Sequence, residues 1–245
     1  MGQRARPTRY GPLVLPLVAP ASPDNCLTRN EWICGRYYST RAGDLSDALV
    51  QHLGIVVTSV LLGLVVAVPL ALLARRYRKL EGLIVGTTTA IYTIPSLALF
   101  SLLVPVTGLG ETTVVIGLGL YSLTILVRNI IEGLRAVPAE VRESAVGMGY
   151  ATPRLLWGVE IPLALPAIMA GLRVATVSAV ALTTVGAILD YGGLGDLLVD
   201  GTRTNFKAQV LATSVLCVLL AVALDLLLVG VQRLLTPWTR VAAAR

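Results

Sequence analysis

The chain has 245 residues, 55% of them hydrophobic and 14% charged, with a mean hydropathy of +0.77. A soluble domain of this size carries nearer a quarter charged residues, so this composition is that of an integral membrane protein. The net charge of +6 does not call for nucleic acid, because cytoplasmic loops of membrane proteins collect Lys and Arg, and the single histidine, His52, argues against a His-based metal or catalytic centre.

Residues 1–47 read as an N-terminal tail. Its start, "MGQRARPTRYGPLVLPLVAPAS", has a basic beginning, a short apolar stretch and an Ala-Pro-Ala, and loosely resembles a secretory signal. Pro12, Pro16 and Pro20 would break a helix there, and the apolar run is too short to span, so a flexible tail is expected. "DNCLTRNEWICGRYY" follows, polar with aromatics, in the manner of an amphipathic interfacial piece.

The membrane domain is expected over 48–238. No Asp, Glu, Lys or Arg occurs from Ala48 to Ala74, nor from Gly82 to Gly110. A span needs about 20 mostly apolar residues. Helix one therefore covers roughly 48–74 and ends against "RRYRK"; helix two covers roughly 82–105. Pro95, mid-span in "TIPS", frees a backbone carbonyl and kinks that helix, and broken helices line transport paths. Thr87–Thr89, Tyr92, Thr93 and Ser96 make part of its surface polar.

Helix three runs from near Thr112 to near Val127, and 128–162 is polar. Helix four covers roughly 163–189, interrupted by Arg173. A glycine-rich polar loop, 190–207, precedes helix five at roughly 208–231, which carries Asp225. Residues 239–245 form a C-terminal tail. The fold class is all-α, with about five transmembrane helices surrounded by membrane lipid.

Loop charges set the orientation. The 75–81 loop, the 128–162 segment and the C-terminal tail hold four, four and three Lys/Arg, against none in 106–111 and two in 190–207. The positive-inside rule puts the first set in the cytoplasm. Five spans then leave the N-terminus outside, despite its six arginines. Cys26 and Cys34 would lie in an oxidising compartment there, where a disulfide between them is expected. Cys217, in an apolar run, reads as a small core residue.

Charges at membrane depth are costly and are usually paired or functional. Arg173 and Asp225 are expected to approach within salt-bridge distance as a structural pair between helices four and five. Tyr92 and Tyr121 are the aromatic rings well inside the spans, and with Thr93, Pro95 and Ser96 they are the candidate translocation-path residues. The "GGLG" at 192–195 lacks the Lys-Ser/Thr partner of a phosphate loop and is expected to turn the chain at an outer gate, with Asp190, Asp196 and Asp200 as surface charges.

The polar segment contains "ESAVGMGYATPRLLWGVEIP" (143–162). Pro138 suits a first helical turn, with Glu140 and Glu143 near the positive end of the dipole. Gly147 and Gly149 permit a tight bend. Thr152 is an N-cap candidate with Pro153 next, and Pro162 and Pro166 are expected to mark the entry to helix four. Two short helices at an angle, with small residues at the bend, suit close docking of another protein.

This stretch resembles the cytoplasmic motif of bacterial ABC importer membrane subunits: Glu-Ala-Ala, three residues, Gly, nine residues, Ile, one residue, Leu-Pro. Here it reads Glu143-Ser144-Ala145, three residues, Gly149, nine residues, Val159, Glu160, Ile161-Pro162, with mild departures at Ser144, Val159 and Ile161. Over about 48–238 the chain is also similar to the osmoprotectant branch (glycine betaine, choline and related quaternary amines), through "YTIPSLALFSLLVPVTGLG", "LVRNIIEGLRAVPAEVRESAVGMG", "IPLALPAIMAGLR" and "GGLGDLL". Methionine-type importers share the fold, so another small solute such as an amino acid is the alternative.

The resemblance implies a non-enzymatic transport subunit. The motif segment would insert into a groove of a cytoplasmic ATPase, which carries the ATP and Mg. No cofactor belongs to this chain. Arg142, Glu143, Ser144, Ala145, Gly147, Gly149 and Pro162 would form the coupling element, with Arg142 and Glu143 making polar contacts at the joint. A second permease subunit, the same chain or a paralogue, would complete the pore, and an extracytoplasmic binding protein would deliver substrate. A stand-alone secondary transporter or channel would need internal symmetry or coupling-ion residues at the midplane. Neither is visible, nor are the clustered His, Asp or Glu of a membrane enzyme.

Overall fold

The computed structural model describes residues 25–238; the readings made for 1–24 and 239–245 lie outside these residues. A short helix, α1 (Gly35–Thr40), leads into the long first span, α2 (Ala42–Arg76). At 35 residues, α2 is about 50 Å long at 1.5 Å per residue, and so overhangs a hydrocarbon core of about 30 Å.

The second span is not one helix. It divides into α3 (Arg78–Thr93) and α4 (Ser96–Thr107), bent by 100°. Pro95 causes the break: it offers no N–H and excludes the α conformation from its predecessor, so Ile94 is extended at φ −68 and ψ 126. With this pair taken as one, the chain has five spans; α5 (Glu111–Arg135) is the third. It continues past Val127, where the sequence led us to end it. Ile130, Ile131 and Leu134 recur at helical spacing and are buried, while Arg128 and Arg135 point away.

The polar connection holds α6 (Ala139–Gly147) and α7 (Thr152–Leu155). From α7 the chain runs without interruption through a π-helical stretch, Leu156–Glu160, into α8 (Ile161–Thr183), and ends as a 3-10 stretch, Thr184–Leu189. Pro162 and Pro166 therefore lie inside a helical rod rather than marking its start. In a regular α-helix the Pro162 ring would meet the Gly158 carbonyl; the wider π turn directly upstream accommodates it. Ala151, not Thr152, occupies the N-cap position, and no side chain caps this end. The 190–207 segment is also more than a loop, since it contains α9 (Leu194–Arg203). The last span is α10 (Lys207–Leu235).

The core sits between α2, α5 and α8. Ala67, Ala71 and Ala74 of α2 meet Leu126, Val127 and Ile130 of α5, which also touch Ala164 and Ala175 of α8. Lipid tails are as apolar as leucine, so association in a membrane relies on close van der Waals fit and small residues. A Cβ added to Gly133 would lie 3.1 Å from the Ala164 carbonyl oxygen, which shows how near α5 and α8 approach. In α5, 67% of the most apolar stretch is buried, against none in α10, so α5 is the central span and α10 the peripheral one.

Candidate coupling element and conduction path

Helix α6 ends in a Schellman motif. The Gly149 N–H donates to the Val146 carbonyl at 2.9 Å and the Tyr150 N–H to the Ala145 carbonyl at 3.1 Å. Gly149 takes φ +85, a conformation that costs a side-chain-bearing residue energy. This fold-back forms an elbow. Nothing lies within 4 Å of a Cβ built on Gly147 or Gly149, and Glu143, Ser144, Val146, Met148 and Trp157 are exposed around them. Ala145 alone among the motif's first residues is buried, and the Ser144 hydroxyl donates back to the Glu140 carbonyl at 2.7 Å.

Beneath the elbow lies Glu160, 2% exposed. Its carboxylate pairs with Arg75 at the end of α2 and, at 3.2 Å, with Nε of Arg142 on α6. Arg142 also donates through Nη2 to the Leu134 carbonyl near the end of α5. Arg142 is thus turned inward, tying α6 to α5 and to the α8 rod, while Glu143 faces out. Burying a carboxylate is costly unless it is paired, and two guanidinium groups provide that here. The sequence reading missed Glu160 and Arg75. A signal was available: Glu160 is the one acid between Glu143 and Asp190.

At the break in the second span, the carbonyl of Ile94 accepts a hydrogen bond from the Tyr121 hydroxyl of α5. Tyr121 is buried; Tyr92 is 44% exposed and meets it edge-on, ring centroids 5.6 Å apart. Pro95 is exposed and Ser96 opens α4, whereas the Thr93 hydroxyl is taken up by the Ala90 carbonyl at 2.7 Å. The polar line continues along α3 and α5: Thr124 donates to the Thr88 carbonyl at 2.7 Å, and Arg128 reaches the Thr89 hydroxyl at 3.4 Å. The structure therefore brings Tyr92, Pro95, Ser96 and Tyr121 to one broken-helix junction. Arg173 and Asp225 lie apart from it, on α8 and α10, joined by two hydrogen bonds of 2.7 and 2.9 Å.

At the opposite end of the α8 rod, the "GGLG" is buried. A Cβ on Gly193, at φ +57, would lie 2.7 Å from the His52 backbone nitrogen, and one on Gly195 would lie 2.5 Å from the Thr184 Cα. His52 itself is fully buried, its Nε2 bonded to the Val180 carbonyl at 3.1 Å. Asp196 is not a free surface charge as expected; it accepts from the Gly192 N–H at 2.9 and 3.0 Å. Burial raises its carboxyl above the ordinary range, opposed by the backbone N–H groups of Gly192 and Gly193. Asp200 accepts from Gln209, while Asp190 is exposed. Cys26 and Cys34 are joined by a disulfide.

A five-span helical subunit with a broken second span and an exposed, ion-paired elbow between its third and fourth spans has the layout of a transport permease. The family model described as "Binding-protein-dependent transport system inner membrane component" matches residues 59–241, and the chain belongs to that family. It is 40% identical over 204 residues to the glycine betaine/carnitine/choline transport system permease protein OpuCD of Bacillus subtilis (strain 168), covering 83% of this chain and 89% of the relative. It is 37% identical over 206 residues to the osmoprotectant import permease protein OsmW of Salmonella typhimurium, covering 82% and 96%. Among solved structures, a chain of the inward facing MetNI methionine ABC transporter superimposes with a TM-score of 0.74 at 20% identity, covering 80% and 98%, which shows a shared fold.

Proposed function

We propose that this chain is the permease subunit of an ATP-driven importer for osmoprotectants, compact quaternary amines such as glycine betaine, carnitine or choline. The observation that carries the reading is the elbow: exposed Gly147 and Gly149, free of neighbours, on a base fixed by Glu160, Arg75 and Arg142. Such a surface passes a push from a docked ATPase into three spans at once. ATP and Mg belong to that ATPase; a second permease chain and an extracytoplasmic binding protein complete the assembly. Two independent features support a cytoplasmic elbow. Basic residues collect on its side. The disulfide-bonded segment lies against the other side, and disulfides persist in oxidising compartments.

The substrate class is supported by the names of the relatives and by the junction chemistry. A quaternary ammonium donates no hydrogen bond and is held by aromatic faces. The exposed Tyr92 ring, beside Tyr121, offers one at the break. The test is co-purification with an ATPase, followed by ATP hydrolysis in liposomes with the binding protein and glycine betaine, choline, carnitine, proline or methionine. Stimulation by the quaternary amines is expected. Stimulation by methionine alone would move the chain to the amino-acid alternative, and failure to capture any ATPase would defeat the importer reading.

A further inference from the structure

The segment before the first span, Asn25–Thr40, lies outside the family match, yet it is built into the far end of the molecule. Its centre is Asn30, in the left-handed conformation at φ 51, inside the loop that the Cys26–Cys34 disulfide closes. The Asn30 side chain accepts from the Lys207 N–H at 2.9 Å and donates to the Asn205 carbonyl at 2.7 Å. Helix α10 has no capping side chain of its own, since Phe206 occupies its N-cap position. The first N–H groups of a helix have no internal partner, and an Asn is among the best side chains to satisfy one. Asn30 therefore caps α10 from 177 positions away.

The surroundings fix this contact. Tyr37 meets Phe206 edge-on at 5.3 Å, and Cys34, Tyr37 and Leu45 bury Ala208 and Ala212. Lys207 lies 6.0 Å over the Trp32 ring. On its other side, α10 is tied to α9: Gln209 donates to the Leu197 carbonyl and to Asp200, and the Phe206 N–H to the Gly201 carbonyl at 2.7 Å. Residues 25–40, α9 and the start of α10 thus form one unit on the side that carries the disulfide. In the importer reading this is the outer side, where the binding protein docks.

We propose that Asn30 is a positioning residue that sets the outer surface of the α9–α10 corner for the binding protein, and that the Cys26–Cys34 bond holds Asn30 in place. This rests on the importer reading. The test uses the full complex with its ATPase in liposomes, titrated with substrate-loaded binding protein, reading ATP hydrolysis. In Asn30→Ala the half-saturating binding-protein concentration rises, by up to about fivefold where docking needs the whole capped corner, while the maximal and unstimulated rates hold. Asn30→Asp keeps the acceptor for Lys207 and loses the donor to Asn205, so its shift is intermediate. A membrane-impermeant thiol reductant shifts the wild type in the same direction and leaves Asn30→Ala where it was. An unchanged half-saturation in Asn30→Ala overturns the proposal. So does a parallel fall of maximal and unstimulated rates, which marks general loss of fold. A wild-type complex that binding protein never stimulates defeats the importer reading and the docking role with it. Amide exchange over Lys207–Thr213, faster in Asn30→Ala only where the cap operates, separates the two failures.

Discussion

The two turns that flank the fourth span are both rich in glycine, and they use it in opposite ways. At the elbow, Gly147 and Gly149 have open space around them. At the far corner, Gly192, Gly193 and Gly195 are enclosed so tightly that an added methyl group would strike backbone. Glycine at the first turn leaves a surface on which another protein can sit. At the second it lets α2, α9 and the end of the α8 rod touch. The same composition therefore accompanies an open surface in one place and a structural joint in the other, and the surroundings decide which.

Substitution separates them. Gly193→Ala combines a clash at 2.7 Å with an unfavourable φ of +57, and is expected to cost about 3 kcal/mol, visible as a lower Tm of the detergent-solubilised protein. Gly149→Ala carries only the backbone penalty, about 1 kcal/mol. It lowers Tm by only about a third as much, while the bulkier Gly149→Arg abolishes binding-protein-stimulated ATP hydrolysis. Equal Tm losses for Gly193→Ala and Gly149→Ala would erase the distinction.

Glu160→Ala tests the base of the elbow. It leaves Arg75 and Arg142 without their shared carboxylate; since both are partly exposed, water recovers some of the loss, and about 2 kcal/mol is expected. Coupling should suffer more than stability, read as ATP hydrolysis that continues without transport. An unaltered ratio of transport to hydrolysis would make the cluster merely structural.

The smallest effect is at Asp196. Its folded carboxyl lies above the ordinary value, so its contribution to stability is full below the unfolded pKa and falls as pH rises through the raised folded one. Asp196→Asn retains an oxygen for the Gly192 N–H and carries no charge. It is expected to leave stability at neutral pH equal or slightly higher and to flatten its decline as pH rises from about 4 through the raised pKa, measured by thermal unfolding across pH. A variant less stable at neutral pH would show that the ionised carboxylate is the favoured partner.

Much of this architecture was legible because it rests on local rules. Charge-free runs marked the spans, Pro95 marked the break, and the spacing from Glu143 to Pro162 marked the elbow. Ends of elements were harder to read. Arg128 and Asn129 look like a terminus, but the apolar period continues through Ile130, Ile131 and Leu134. Pro162 looks like a start, but a π turn absorbs it. Contacts across long separations were the least visible. Nothing local ties Arg75 to Glu160 or Asn30 to Lys207; each pairing exists only once the spans are packed.

The unbroken rod from Thr152 to Leu189 has a mechanical consequence. Its 38 residues make a strut of about 55 Å, thicker than the bilayer it crosses. One end carries the elbow; at the other, Thr184 is pressed against Gly195. A tilt imposed at one end must therefore arrive at the other with little loss. Along the strut the helix departs from regular α geometry at the π turn Leu156–Glu160, where Glu160 is clamped, and at the 3-10 stretch Thr184–Leu189. An ionic clamp of three charged residues thus sits at one of the irregular points of this lever.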